Sequence, residues 1–203
     1  MERRLRDRNR SFAPRRTVLA GVAGGVLAAV PIAGCLTFVD DEDDDPAADE
    51  PDDGSAEPPF EVRTIEAPGS EAGAVTIPEP ETVTVLNFTR TACPTSEGYL
   101  ETIADAKRQV DDERVRFRSI VEYGRDPTET DEAFAEWWAE HDGDWTLAID
   151  DDRAVFGYYG VDSTPETAVL DDEGDPRLSG LAASTGDIVR SVREALAAIE
   201  EDG

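Results

Sequence analysis

The chain has little of what binds nucleic acid or charged membranes, and little of what staples small folds. It contains one lysine, Lys107, and 19 bases in all against 47 acids, for a formal net charge of −28 over 203 residues. So acidic a surface repels phosphate backbones and anionic lipid headgroups, which argues against nucleic acid as a partner. Cysteine is scarce too: Cys35 and Cys93 are the only two. No disulfide framework can be built from such a pair, and the two lie in segments of unlike character. The globular part has a single histidine, His141. Long apolar runs are missing as well. The longest, Val18 to Ala33, has about sixteen residues where a spanning helix needs roughly 20.

What is present begins with a targeting pattern in residues 1–35. A basic stretch (Arg3, Arg4, Arg6, Arg8, Arg10) precedes Arg15-Arg16, which stand directly before the apolar run, and the run closes on Pro31-Ile32-Ala33-Gly34-Cys35. The paired arginines resemble a twin-arginine export signal, and the small residues before cysteine resemble a lipobox. The resemblance implies that Cys35 carries a lipid and becomes the mature N-terminus; the alternative is a plain transmembrane anchor. Either one places the rest of the chain outside the cytoplasmic membrane. Residues 36–59 follow as a tether. From Asp40 to Pro59 the sequence is nearly all Asp, Glu, Pro and Ala, self-repelling and without core-forming residues, so an extended disordered spacer is expected. Residues 60–203 form the folded domain, long enough to bury a core.

Within that domain, Phe60 to Ile65 alternates as a half-buried strand, and Pro68 to Pro80 reads as loop with one short apolar patch. Thr82 to Phe88 has the length and the β-branched and aromatic content of a buried strand. A helix is predicted over Ser96 to Val110, where Leu100, Ile103, Ala106 and Val110 make one stripe. Val115 to Val121 reads as strand, and Gly124 to Pro127 breaks the chain. Thr128 with Asp131 is the predicted cap of a helix carrying Phe134, Trp137 and Trp138, an aromatic set expected in the core. Gly143 ends that helix, a strand runs from Trp145 to Ile149, and Asp150-Asp151-Asp152 reads as a solvated turn, since the spacing of a calcium loop is absent. A short helix from Ala154 to Tyr159 leads to Thr164-Pro165, strands to Leu170 and near Leu178 to Leu181, and a last helix over Thr185 to Glu200 behind a Ser184–Asp187 cap. The order suggests a mixed sheet covered by helices.

The residue with chemistry to offer is Cys93, four residues beyond a buried strand and directly before Pro94 at a helix start. Proline suits the first helical position, which needs no amide donor. A thiol there meets unpaired helix N–H groups and the positive end of the helix dipole, which favour its anion.

The two stretches VTVLNF-x5-CPTS and GVDSTPETAVLDDEG, in this order, resemble thioredoxin-fold lipoproteins and membrane-tethered enzymes of the TlpA/ResA type. The resemblance covers roughly residues 60–200, with Gly160, Val161, Pro165, Thr167, Asp171 and Gly174 falling in the family's places. It implies a thioredoxin-like α/β fold, a central mixed sheet flanked by helices, and thiol–disulfide exchange without a cofactor or resident metal. It also implies roles. Cys93 is the nucleophile, and Pro165, in a cis Thr-Pro bond, is the wall beside it, with Thr164 and Pro94 on the substrate side. The family's second active-site cysteine is replaced by Ser96, and its usual aromatic before the first cysteine by Ala92. Exchange through one thiol then needs protein thiols or disulfides as substrates and an external reductant to reset Cys93, with Ser96 as hydrogen-bond partner of the thiolate. Other readings stay open. One is a redox-silent partner-binding module in which Cys93 is only a buried small residue. Another is a copper-delivery protein resembling the Sco type, for which the domain offers Cys93 and His141. A peroxiredoxin-type site would need Thr where Arg90 stands. The acid excess with almost no lysine resembles proteins of extreme halophiles.

Overall fold

The computed structural model describes residues 57–122 and 129–202. The export signal, Cys35, most of the tether, the break at Gly124 to Pro127 and the cap residue Thr128 lie outside the described residues. The elements are β1 (Phe60–Thr64), β2 (Gly73–Ile77), β3 (Val83–Thr89), α1 (Pro94–Gln109), β4 (Val115–Glu122), α2 (Asp131–Glu140), β5 (Thr146–Asp150), α3 (Ala154–Tyr158), β6 (Glu166–Leu170), β7 (Pro176–Leu181) and α4 (Thr185–Asp202). They build a thioredoxin-like fold around one seven-stranded sheet of order β2-β1-β5-β4-β3-β6-β7.

Strand β3 lies deep in this sheet because all seven of its residues are buried. It runs parallel to β4, which runs parallel to β5, while β6 pairs antiparallel on its other side. Alternate residues of β3 serve opposite faces, as the strand period dictates. Val83 and Val85 join the apolar layer under α1, α2 and α4, together with Leu100, Ile103, Trp138, Ile188 and Val192. Leu86 and Phe88 join the opposite layer with Phe156 and Tyr159, where Phe88 meets the Phe156 ring edge-on at 5.0 Å. Each fully buried Leu, Ile or Phe contributes on the order of 1.5–3 kcal/mol, so the two layers together fix the height and direction of β3.

The aromatic residues of α2 are core, as expected. Trp138 is wholly buried, donates from Nε1 to the Pro68 carbonyl at 3.0 Å and meets Trp145 edge-on at 4.8 Å. Gly143 sits against that ring so closely that a Cβ there would lie 2.2 Å from it, which is why the residue after the helix is glycine.

Two expectations are corrected. The stretch from Pro68 to Pro80 is not all loop: Gly73–Ile77 forms edge strand β2, in antiparallel register with β1 from Phe60↔Ile77 to Thr64↔Gly73. Its residues are largely exposed, so the segment shows little hydrophobic pattern of its own and is held by the ladder to β1. The cap of α2 is Thr130 rather than Thr128, its hydroxyl accepting from the Ala133 N–H at 3.2 Å. Both threonines stand ahead of an acidic first turn, and the spacing that closes the cap is the one to Ala133.

Candidate functional site

The parallel strands β3, β4 and β5 end on the same side of the molecule, the carboxyl edge where open α/β sheets bind ligands. Strand β6 runs the other way, so it begins at that edge, with Phe88 opposite Glu166. The turn after β3 and the approach to β6 are therefore neighbours. The first carries Arg90, Ala92 and Cys93; the second carries Thr164 and Pro165, joined by a cis peptide bond.

Cys93 is the N-cap residue of α1, in extended conformation, with Pro94 behind it and its own carbonyl accepting from Glu97 N–H at 3.0 Å. The exposed Ala92 holds φ at +54°, a left-handed turn that costs a non-glycine residue about 1–2 kcal/mol and aims the chain into the helix. No side chain caps α1, which leaves its first N–H groups facing the thiol. The thiol is half-buried. Ser96 is wholly buried, and among the described residues its hydroxyl has no hydrogen-bond partner. Ionisation of the sulfur gives that proton an acceptor. The Ser96 hydroxyl therefore leads in drawing the Cys93 pKa down to about 7, helped by the Ser96 backbone N–H, by Arg90 and by the Thr95 N–H, against the opposing effect of burial.

Pro165 is buried, and its carbonyl already accepts from the Ala182 N–H at 3.1 Å. Among the described residues the backbone N–H and C=O of Thr164 make no backbone hydrogen bond, and its hydroxyl has no partner. Thr164 rather than Pro165 thus holds the unused backbone groups at this edge. Pro94 is exposed beside the thiol.

Three side chains at the site carry no sequence signal as plain as the cysteine's. Tyr99, one turn and a half into α1, donates its hydroxyl to the Ala183 carbonyl at 2.7 Å, so the 2.7 Å contact with Thr167 is donated by Thr167. This buried clamp ties α1 to β6 and to the segment after β7, holding Cys93 and Pro165 in fixed relation; burial pushes the Tyr99 phenol up to about 12. A tyrosine three positions after a hydrogen-bonding serine reads only as helix stripe. The third, Arg90, is exposed three residues before Cys93 and helps to draw its pKa down. Behind the clamp, Asn87 Nδ2 and Trp145 Nε1 each donate to Ser119 Oγ at 3.0 Å.

His141 is spoken for: its Nδ1 lies 2.8 Å from the Trp137 carbonyl and its Nε2 3.8 Å from a Glu97 carboxylate oxygen. Among the described residues no three of His, Cys, Asp and Glu group as metal ligands.

Comparisons with known proteins agree with the fold. StoA from Bacillus subtilis superposes with a TM-score of 0.56 at 14% identity, covering 65% of this chain and 94% of that one. The exposed lipoprotein thioredoxin of Streptococcus pneumoniae gives 0.54 at 21% identity over 66% of this chain and 98% of its own. A putative thioredoxin from Neisseria meningitidis gives 0.56 at 15% identity over 69% and 89%. No protein-family model matches the chain. No curated protein matches it in sequence.

Proposed function

We propose that the domain carries out thiol–disulfide exchange through a single cysteine, outside the cytoplasmic membrane, tethered by a lipid on Cys35 and a spacer over residues 36–59. The observation that carries this reading is the pairing of a half-buried Cys93 at an uncapped helix start with a buried Ser96 hydroxyl that has no other partner among the described residues and is free to donate to the thiolate. A structural cysteine needs no such donor. A nucleophile does, because the thiolate is the reacting form. With a pKa of about 7, half of Cys93 is thiolate near neutral pH.

In this mechanism Cys93 attacks a protein disulfide, and the backbone of Thr164 pairs with the bound polypeptide as an added strand. One sulfur of the substrate joins Cys93 and the other leaves as thiolate. Ser96, a serine where a second thiol would act, cannot resolve the mixed disulfide, so an external thiol does. The Ser96 hydroxyl and the helix N–H groups stabilise Cys93 as nucleophile in the first step and as leaving group in the last. The acidic surface is suited to concentrated salt, as in proteins of extreme halophiles. The neighbours named above include an exposed lipoprotein thioredoxin, which supports the extracytoplasmic placement.

The test is the pH dependence of alkylation of Cys93 in the full chain carrying Cys35→Ala, in concentrated salt, with the unfolded chain as reference. An apparent pKa below about 7.5, against about 8.5 for a free thiol, supports the reading. A thiol that labels only on unfolding sinks it, and with it a Cys93 role in exchange.

A further inference from the structure

The hydrogen bonds of the Tyr99 phenol close a ring that passes through both halves of the site. From Cys93 the chain enters α1, and Tyr99 stands six residues on with its side chain buried. Its oxygen accepts at 2.7 Å from the hydroxyl of Thr167, which is wholly buried two residues past Pro165. Its proton goes to the Ala183 carbonyl, also at 2.7 Å. Ala183 follows Ala182, whose N–H donates to the Pro165 carbonyl at 3.1 Å. One oxygen thus joins three segments: α1 behind the thiol, the start of β6, and the connection from β7 to α4.

Sheet register does not reach the two groups that this ring relates. The ladder of β3 with β6 ends where Phe88 stands opposite Glu166. Thr164, with its unused backbone groups, lies beyond that last rung, and Cys93 lies beyond the end of β3 at Thr89. The flanking chain does not brace them either: Asp162 and Ser163 ahead of Thr164 are exposed, as are Leu181 and Ala182. Ala182 holds φ at +45°, a left-handed conformation that a non-glycine residue keeps where its surroundings impose it. The separation between the sulfur and the Thr164 backbone is therefore set by the ring through Tyr99. A further bond on the same side, from the Thr185 hydroxyl to the Thr102 carbonyl at 3.2 Å, ties the start of α4 to the next turn of α1.

We propose that Tyr99 is a positioning residue that sets this domain's preference for disulfides carried by extended polypeptide over small free disulfides. The inference rests on Cys93 being the exchanging thiol and Thr164 the strand-pairing residue, and adds what joins the two. A small disulfide needs the sulfur alone. Its attack forms one bond to Cys93, breaks the S–S bond and sends the other sulfur off with the electron pair as thiolate. A polypeptide disulfide undergoes the same step while its backbone is fixed on Thr164. Its sulfur then meets Cys93 in line when thiol and pairing backbone keep one separation, and a displacement of about 1 Å removes most of that advantage. The buried phenol acts through this spacing and not by contact with the substrate.

The experiment uses the full chain carrying Cys35→Ala in concentrated salt, with two neutral electrophiles. One is bis(2-hydroxyethyl) disulfide; the other is a short uncharged peptide with blocked ends whose single cysteine is a mixed disulfide with 2-mercaptoethanol. Loss of free Cys93 is followed by intact mass after acid quenching, and N-acetylcysteine amide as attacking thiol gives the intrinsic ratio of the two reagents. Both reagents meet the same thiolate, so their rate ratio is free of any change in the Cys93 pKa. The parent is expected to favour the peptide beyond the intrinsic ratio. That preference should fall roughly tenfold in Tyr99→Phe, fall less in Thr167→Val, where the bond to Ala183 persists, and return in Thr167→Ser, which keeps the hydroxyl. Asp171→Ala, at the other end of β6 from Pro165, lowers stability outside the ring and should leave the ratio at the parent value. A Tyr99→Phe ratio equal to the parent's, an equal fall in Asp171→Ala, or a parent with no preference for the peptide overturns the proposal while leaving exchange through Cys93 intact. Failure of folded Cys93 to react with either disulfide overturns both.

Discussion

Two places where the chain leaves a strand at or near the carboxyl edge of the sheet are built in opposite ways. After β5, Asp150 turns back and accepts the N–H groups of Val155 at 3.4 Å and Phe156 at 2.9 Å, closing the start of α3. The turn after β6, at the other end of the sheet, follows the same rule: the buried Asp171 accepts from Glu173 N, Asp175 N and Arg177 Nε. After β3 the residue in the capping place is Cys93, and among the described residues no side chain closes the helix and Ser96 keeps an unused hydroxyl. Where only stability is required, donors are satisfied by built-in carboxylates. At Cys93 they are left for an anion that exists only when the thiol ionises. Leaving a buried hydroxyl unpaired costs on the order of 1–3 kcal/mol, a cost that makes sense where the missing partner is the thiolate.

The sharpest way to press this contrast is to break the satisfied turn. Asp171→Ala strips three donors of their buried acceptor and leaves Arg177 without its carboxylate, so a loss of about 3 kcal/mol is expected in chemical denaturation in concentrated salt. The Cys93 pKa should not move, since that turn lies at the other end of β6 from Pro165. A variant whose thiol titrates differently would show that the two turns are coupled.

Ser96→Ala acts on the unsatisfied turn and should do the reverse. Stability is expected to hold or to rise slightly, because a buried hydroxyl without a partner disappears. The Cys93 pKa should rise by roughly one unit, the worth of one charge-assisted hydrogen bond, and alkylation at pH 7 should slow several-fold while the rate at pH 10 stays unchanged. If the pKa stays put, the helix N–H groups and Arg90 carry the whole effect, and Ser96 is only a space-filling residue.

How much of this was legible in the sequence depended on how local its cause is. The buried strand Val83–Thr89, the stripe of α1 and the cysteine before Pro94 announce themselves within a few residues, because periodicity and helix-start chemistry are local. The Ser184–Asp187 cap was readable for the same reason: Ser184 Oγ and Asp187 lie 2.6 Å apart, three residues from each other. Strand β2 was not, because an exposed edge strand is defined by its partner 9 to 17 residues away in the ladder, from Thr64↔Gly73 to Phe60↔Ile77, and carries little pattern. The Tyr99 clamp joins residues 68 and 84 positions apart, a relation that only the folded topology creates. Arg90 escaped for a subtler reason. An exposed arginine just after a strand has no pattern of its own, and its relation to the thiol three residues on depends on the path of the turn.

The smallest effect expected is the linkage between Cys93 and folding. The folded thiol has its pKa lowered to about 7, so the folded state binds fewer protons than the unfolded one between that value and the ordinary thiol value of about 8.5. A group depressed on folding adds stability that is fully present above the unfolded pKa and lost as pH falls through the folded one. The stability of the full chain carrying Cys35→Ala, minus that of the same chain with Cys93→Ala added, should therefore rise as pH increases from about 6.5 to 9. For a half-buried group screened by solvent and salt, the rise should be about 1 kcal/mol. Tyr99 and Tyr159, whose phenols burial pushes up, titrate above this window and appear equally in both chains, so they cancel in the difference. A flat difference would mean that the uncapped helix start gives Cys93 no more of its thiolate than an unfolded chain does, and the contrast between the two kinds of turn would lose its functional meaning.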